Sequence, residues 1–128
     1  MSNTGKPTQQ LFATIGWSAA ASTTTIGYLP PNAVMSDIKV DVQTVFDSVT
    51  SDVFTIGHGA FGSTSADVDE FEASIDVKTA GGRIALTLLQ GGAVISATES
   101  VPITVTYTPT GGSTSAGSAT VIFEYTQQ

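Results

Sequence analysis

Twice between residues 101 and 126 the chain alternates side-chain character with a period of two. In the first run Ile103, Val105 and Tyr107 point one way and Thr104, Thr106 and Thr108 the other. In the second, Val121, Phe123 and Tyr125 alternate with Ile122, Glu124 and Thr126. Only an extended strand sends successive side chains to opposite faces, so each run reads as a half-buried strand with its aromatics inward. Between them lie Pro109, Thr110, Gly111, Gly112, Ser113, Thr114, Ser115, Ala116 and Gly117, residues that suit a turn. The pattern predicts a long hairpin with a flexible tip. That tip is small and uncharged, suited to backbone contact with a neighbour and not to catalysis.

The rest of the chain repeats this chemistry. Residues 1–8 are polar, contain Gly5 and Pro7, and read as a flexible N-terminal arm; residues 9–128 read as one β-sandwich domain. Residues 9–17 form a first strand, 18–25 a loop or irregular strand, and 26–28 a short strand leading to Pro30 and Pro31. Consecutive prolines lack ladder donors and mark a stiff turn. The cleanest alternation follows: Ile38, Val40, Val42, Thr44 and Phe46 on one face, with Asp37, Lys39, Asp41, Gln43 and Val45 on the other. Residues 47–52 turn, 53–58 return as a strand, and 65–72 read as one helical turn with Ser65 as N-cap and acids in the first turn. Strands are then expected at 73–78, 83–90 and 93–97. With turn signals at this spacing, about eight to ten strands make an all-β antiparallel sandwich.

Composition narrows the function classes. Twenty Thr and 14 Ser accompany only four Lys plus Arg, and charged residues make up 12% of the chain, against about 25% in an average soluble domain. A weakly charged, Thr-rich exterior suits a subunit of an assembly. The net charge is −7 and Lys6, Lys39, Lys78 and Arg83 are scattered, which argues against direct binding of nucleic acid. There is no cysteine for disulfides or thiolate chemistry. No apolar run approaches the ~20 residues of a membrane span, and the N-terminal residues lack the apolar stretch of a secretory signal.

Local motifs offer little chemistry. Residues 57–64 have the glycine spacing of a phosphate-binding loop, but Ser63 stands where the motif needs lysine. Gly16, Trp17 and Ser18 resemble a nucleophile elbow whose final glycine is missing. His58 is the single histidine, without a neighbour that orients it, and reads as a turn residue. Asp67, Asp69 and Glu70 carry enough oxygens for a hard cation such as Ca²⁺, yet Glu72 and Lys78 break the EF-hand pattern, and a solvated acidic turn is the preferred reading. Of the aromatics, Trp17 and Phe61 are expected to be exposed, and Phe46, Tyr107, Phe123 and Tyr125 to pack in the core. No catalytic, cofactor-binding or metal-binding residue is assigned.

Several stretches resemble small structural proteins of tailed-phage virions. The carriers are Leu29-Pro30-Pro31-Asn32-Ala33-Val34, the strand from Ile38 to Phe46, Phe54-Thr55-Ile56-Gly57, the acidic stretch from Asp67 to Gly81, and the ending from Tyr107 to Gly112 with Ala116 to Val121. The resemblance covers roughly residues 26–127. It implies a jelly-roll-like sandwich, no catalysis and no cofactor. It further implies a head decoration (cement) protein, a homotrimer on the major capsid protein at the virion surface, assembled in the host cytoplasm. The alternative is a tail or head fibre domain that binds host glycans. Either role leaves nucleic acid and membrane out of the partner set.

Overall fold

The computed structural model describes residues 8–79, 81–84, 86 and 94–127. Eight strands appear among them: β1 Gln9–Gly16, β2 Ser22–Leu29, β3 Ala33–Thr44, β4 Ser51–His58, β5 Asp67–Asp76, β6 Gly82–Ile84, β7 Val101–Thr110 and β8 Ser118–Gln127. They form two four-stranded sheets, ordered β1-β8-β3-β6 and β2-β7-β4-β5, with every pairing antiparallel. First pairs with last, second with seventh, third with sixth, and fourth with fifth. The chain is thus one long antiparallel ribbon, doubled back at the β4–β5 connection and wrapped so that successive pairs fall in alternate sheets. That is the jelly-roll arrangement.

The core lies between the sheets and follows the predicted alternation. Ile38, Val40 and Val42 of β3 are buried, as are Val101, Ile103, Val105 and Tyr107 of β7 and Val121, Phe123 and Tyr125 of β8. Phe46 and Tyr107 rings lie 4.9 Å apart, and Phe54 stands edge-on to both at 5.5 and 6.1 Å, a preferred geometry for aromatic quadrupoles. The outer faces explain the threonine content. Thr14 meets Thr120 and Thr23 meets Thr106, each hydroxyl pair 3.0 Å apart, tying β1 to β8 and β2 to β7.

Two expectations about the elements change. The two closing strands do not form a hairpin, because β7 lies in one sheet and β8 in the other, so the 111–117 connection crosses the sandwich. Alternation reveals a strand but not its partner, and this connection exceeds the usual two to five residues of a hairpin loop. Residues 67–72 are not a helical turn but the start of β5, where Asp67 stands opposite His58 and Glu72 opposite Ile56. Pairing with β4 outweighs the local capping cue. Of the two readings for residues 18–25, the irregular strand holds from Ser22 onward, with a bulge between Thr25 and Gly27, since β-branched threonines fit an outer sheet face. The Pro30-Pro31 turn holds, closed by Asn32 in the left-handed region at φ 65°. The arm at residues 1–7 lies outside the described residues, as does most of the 83–90 strand beyond β6; of the 93–97 strand, Val94 makes an isolated bridge to Val34.

Candidate functional site

The most concentrated polar chemistry sits where the β3–β4 turn meets the 111–117 connection. Asp52 is fully buried, and among the described residues its carboxylate has no ion-pair partner. Instead it accepts the Ser48 backbone N–H at 2.9 Å, the Ser48 hydroxyl at 2.5 Å and the Tyr107 hydroxyl at 2.6 Å. Because the Ser48 proton is committed to Asp52, the Thr114 hydroxyl donates to Ser48 Oγ. Burial, and then the bond donated to Asp52, raise the pKa of Tyr107. This sealed carboxylate cannot receive a substrate. It instead ties the turn, β7 and the β7–β8 connection together.

The same connection is fastened again at its exposed side. Asp47 accepts the backbone N–H of Ser115 at 2.7 Å and of Ala116 at 3.0 Å, and the Ser115 hydroxyl at 2.7 Å. The Ser115 amide, with these other donors, holds the Asp47 carboxyl below its usual range. Gly117, at φ 153°, lies where a Cβ would fall 2.4 Å from the Phe46 ring. The predicted flexible tip is therefore an anchored connection, held at Gly112 by the Val49 backbone N–H at 3.1 Å and at residues 114–117 by the contacts above.

His58 is not a turn residue. It ends β4 and is buried, with Nδ1 donating to the Gly59 carbonyl at 2.8 Å. Its ring stands against Phe61 at 5.1 Å and Phe71 at 6.2 Å. Nε2 lies 3.4 Å from Glu70 Oε1, a contact that is ionic only when the ring is protonated. Among the described residues neither nitrogen is hydrogen-bonded to a serine, and the ring packs between Phe61 and Phe71. The glycine-rich stretch after it makes no phosphate cradle. Phe61 and Thr64 exchange their backbone hydrogen bonds with each other at 3.1 and 2.8 Å, so those amides are already used.

The acidic stretch is divided by its strand geometry. Asp69 shares a hydrogen bond with Asp67, which raises the Asp69 pKa, while Glu70 turns toward His58. Among the described residues no group of three acidic or histidine side chains is close enough to hold a metal ion. Glu72 is buried with Oε2 unpartnered, and desolvation raises its pKa. The start of β5 crosses so closely over β4 that a Cβ at Gly57 would lie 2.0 Å from the Asp67 carbonyl oxygen.

Solvent-facing aromatics lie elsewhere. Trp17, just after β1, is 46% exposed, whereas Phe61 is half-buried against His58. Phe12 and Tyr28, both missed by the sequence reading, are 66% and 64% exposed. Alternation with the inward Leu11, Ala13 and Ile15 was the available signal for Phe12. All three exposed rings sit on or beside β1 and β2, the edge strands of the two sheets on one flank of the sandwich.

No family model matches the chain, and neither does any curated protein. Solved structures do match. A chain in the capsid of Ralstonia phage GP4 superposes with a TM-score of 0.66 at 19% identity, covering 98% of this chain and 86% of that one. The fold is shared with phage capsid chains. A chain of the cyanophage Pam1 capsid asymmetric unit matches with a TM-score of 0.66 at 12% identity, over 100% of this chain and 90% of that one. A chain in the acidic stable capsid structure of Helicobacter pylori bacteriophage KHP30 matches at 0.62 and 10% identity, over 93% and 86%. At such identities the likeness is one of fold.

Proposed function

We propose that this chain is a structural protein of a phage virion, a decoration (cement) protein that sits as a homotrimer on the capsid surface and bridges major capsid subunits. The observation that carries this reading is the jelly roll's likeness, over nearly the whole chain, to chains from three phage capsids. The polar groups add support, because Asp52, Tyr107 and His58 are sealed within the fold and serve cohesion. In this reading the protein acts without cofactor or catalysis, is made in the host cytoplasm and ends on the head exterior. The test is to add purified protein to heads that lack it. Co-sedimentation as a trimer, with a higher temperature for head disruption, is expected; a monomer left in the supernatant overturns the proposal.

A second reading draws on the exposed rings of Phe12, Trp17 and Tyr28, which suit stacking against sugars. A fibre domain of this kind binds host glycans. Glycan-array signal abolished by Trp17→Ala, with no binding to heads, favours it over decoration.

A further inference from the structure

The fold brings together two stretches that are far apart in sequence. Neither residues 7–36 nor residues 100–123 contain a charged side chain. Because β1 pairs with β8 and β2 with β7, these two stretches lie side by side on one flank. β1, β2 and β7 carry no charge at all, and β8 carries only Glu124. Glu124 is itself neutralised by Lys39, whose Nζ stands 2.9 Å away. The opposite flank differs: β5 alone contributes Asp67, Asp69, Glu70, Glu72 and Asp76.

The neutral flank also has open bonding capacity. Trp17 N–H donates to the Gly117 carbonyl at 3.2 Å, in step with the β1–β8 register. Odd-numbered residues of β1 therefore exchange hydrogen bonds with β8, and the backbone N–H and C=O groups of Gln10, Phe12 and Thr14 turn to the side where, among the described residues, no strand lies. Proteins normally guard such an edge with charge, proline or a bulge. β2 has a bulge between Thr25 and Gly27, but β1 has none of these devices. Strand β1 and the exposed Phe12, Trp17 and Tyr28 thus form an unguarded, uncharged, aromatic edge.

We infer that the β1–β2 edge is the face through which copies of this chain join, three edges meeting around the threefold axis of the trimer. This rests on the decoration reading above. The occupant is another copy because each chain carries a net charge of −7, placed almost entirely away from this edge. Two such chains approach with least repulsion edge to edge, whereas a basic partner is drawn to the acidic flank. With β1 of one chain set against β2 of the next, the contact is heterologous and closes into a ring when its rotation is one third of a turn.

The experiment uses the full chain with Phe12→Glu, Thr14→Lys and Tyr28→Glu, and Val68→Glu as a control on β5, where Val68 is 44% exposed. Analytical ultracentrifugation reads mass, and far-UV circular dichroism checks that each variant keeps its β signature. Wild type and Val68→Glu are expected to sediment as trimers. Phe12→Glu and Thr14→Lys are expected to sediment at one third of that mass while folded, with Tyr28→Glu shifted the same way. Folded edge variants that stay trimeric overturn the inference alone, as does a Val68→Glu variant that dissociates. A wild-type chain that is monomeric and ignores heads overturns both the decoration reading and this inference.

Discussion

Replacing Tyr107 by Phe isolates the buried carboxylate network from the packing around it. The ring stays between Phe46 and Phe54, and only the hydroxyl that donates to Asp52 at 2.6 Å is removed. Asp52 keeps two donors from Ser48 but loses its third in a site with no water access. A hydrogen bond to a charged acceptor contributes about 1.5–3 kcal/mol net. With a urea slope of ~2 kcal/mol/M, a loss of ~2 kcal/mol lowers the unfolding midpoint by about 1 M. The pH dependence provides an independent sign. The folded state holds the Tyr107 proton above its ordinary pKa of 10.0, so this contribution is complete below pH 10 and lost as pH rises through the folded value. Stability from this group falls by about 1.4 kcal/mol per pH unit across that window. Tyr28 and Tyr125 are present in both proteins, so the difference between wild type and Tyr107→Phe reports Tyr107 alone. The assay is urea unfolding followed by Trp17 fluorescence at fixed protein concentration, from pH 7 to pH 11, because association is linked to stability. A loss below about 0.5 kcal/mol at pH 7, or a difference between the two proteins that does not shrink above pH 10, refutes the reasoning.

Gly57→Ala places a methyl group against the Asp67 carbonyl backbone and is expected to cost at least about 3 kcal/mol or prevent folding, as read by urea unfolding. Gly82→Ala, at φ 85° in open space, is expected to cost only about 1 kcal/mol in the same measurement. Glu72→Gln is expected to stabilise at pH 7, because burial raises the folded pKa of Glu72 and so penalises its charged form. That gain shrinks toward zero below pH 4.5, and unfolding curves at pH 7 and pH 3.5 check it. Asp47→Ala removes three acceptor contacts from the 111–117 connection and is expected to speed hydrogen exchange at Ser115 and Ala116 while leaving β7 and β8 amides protected.

What this sequence determined by itself was where the clearly alternating strands lie and which way they face. Ile38, Val40, Val42, Tyr107, Phe123 and Tyr125 all lie inward, as their period-two spacing required, since that periodicity is a property of an extended backbone and needs no partner. Pro30 and Pro31 ended a strand for equally local reasons. Other features needed the tertiary structure. Residues 67–72 carry the cues of a capped helical turn and become β5 because β4 offers hydrogen-bonding groups that a single turn of helix cannot match. The closing strands, adjacent in the chain, lie in opposite sheets, because alternation carries no information about the partner. Asp52, indistinguishable in sequence from a solvated turn aspartate, is sealed by donors from Ser48 and Tyr107, the latter 55 residues away. The uncharged edge is the clearest case. Each uncharged stretch is visible in the sequence, but only the pairing of β1 with β8 and of β2 with β7 sets them on one flank and leaves the acids of β5 on the other.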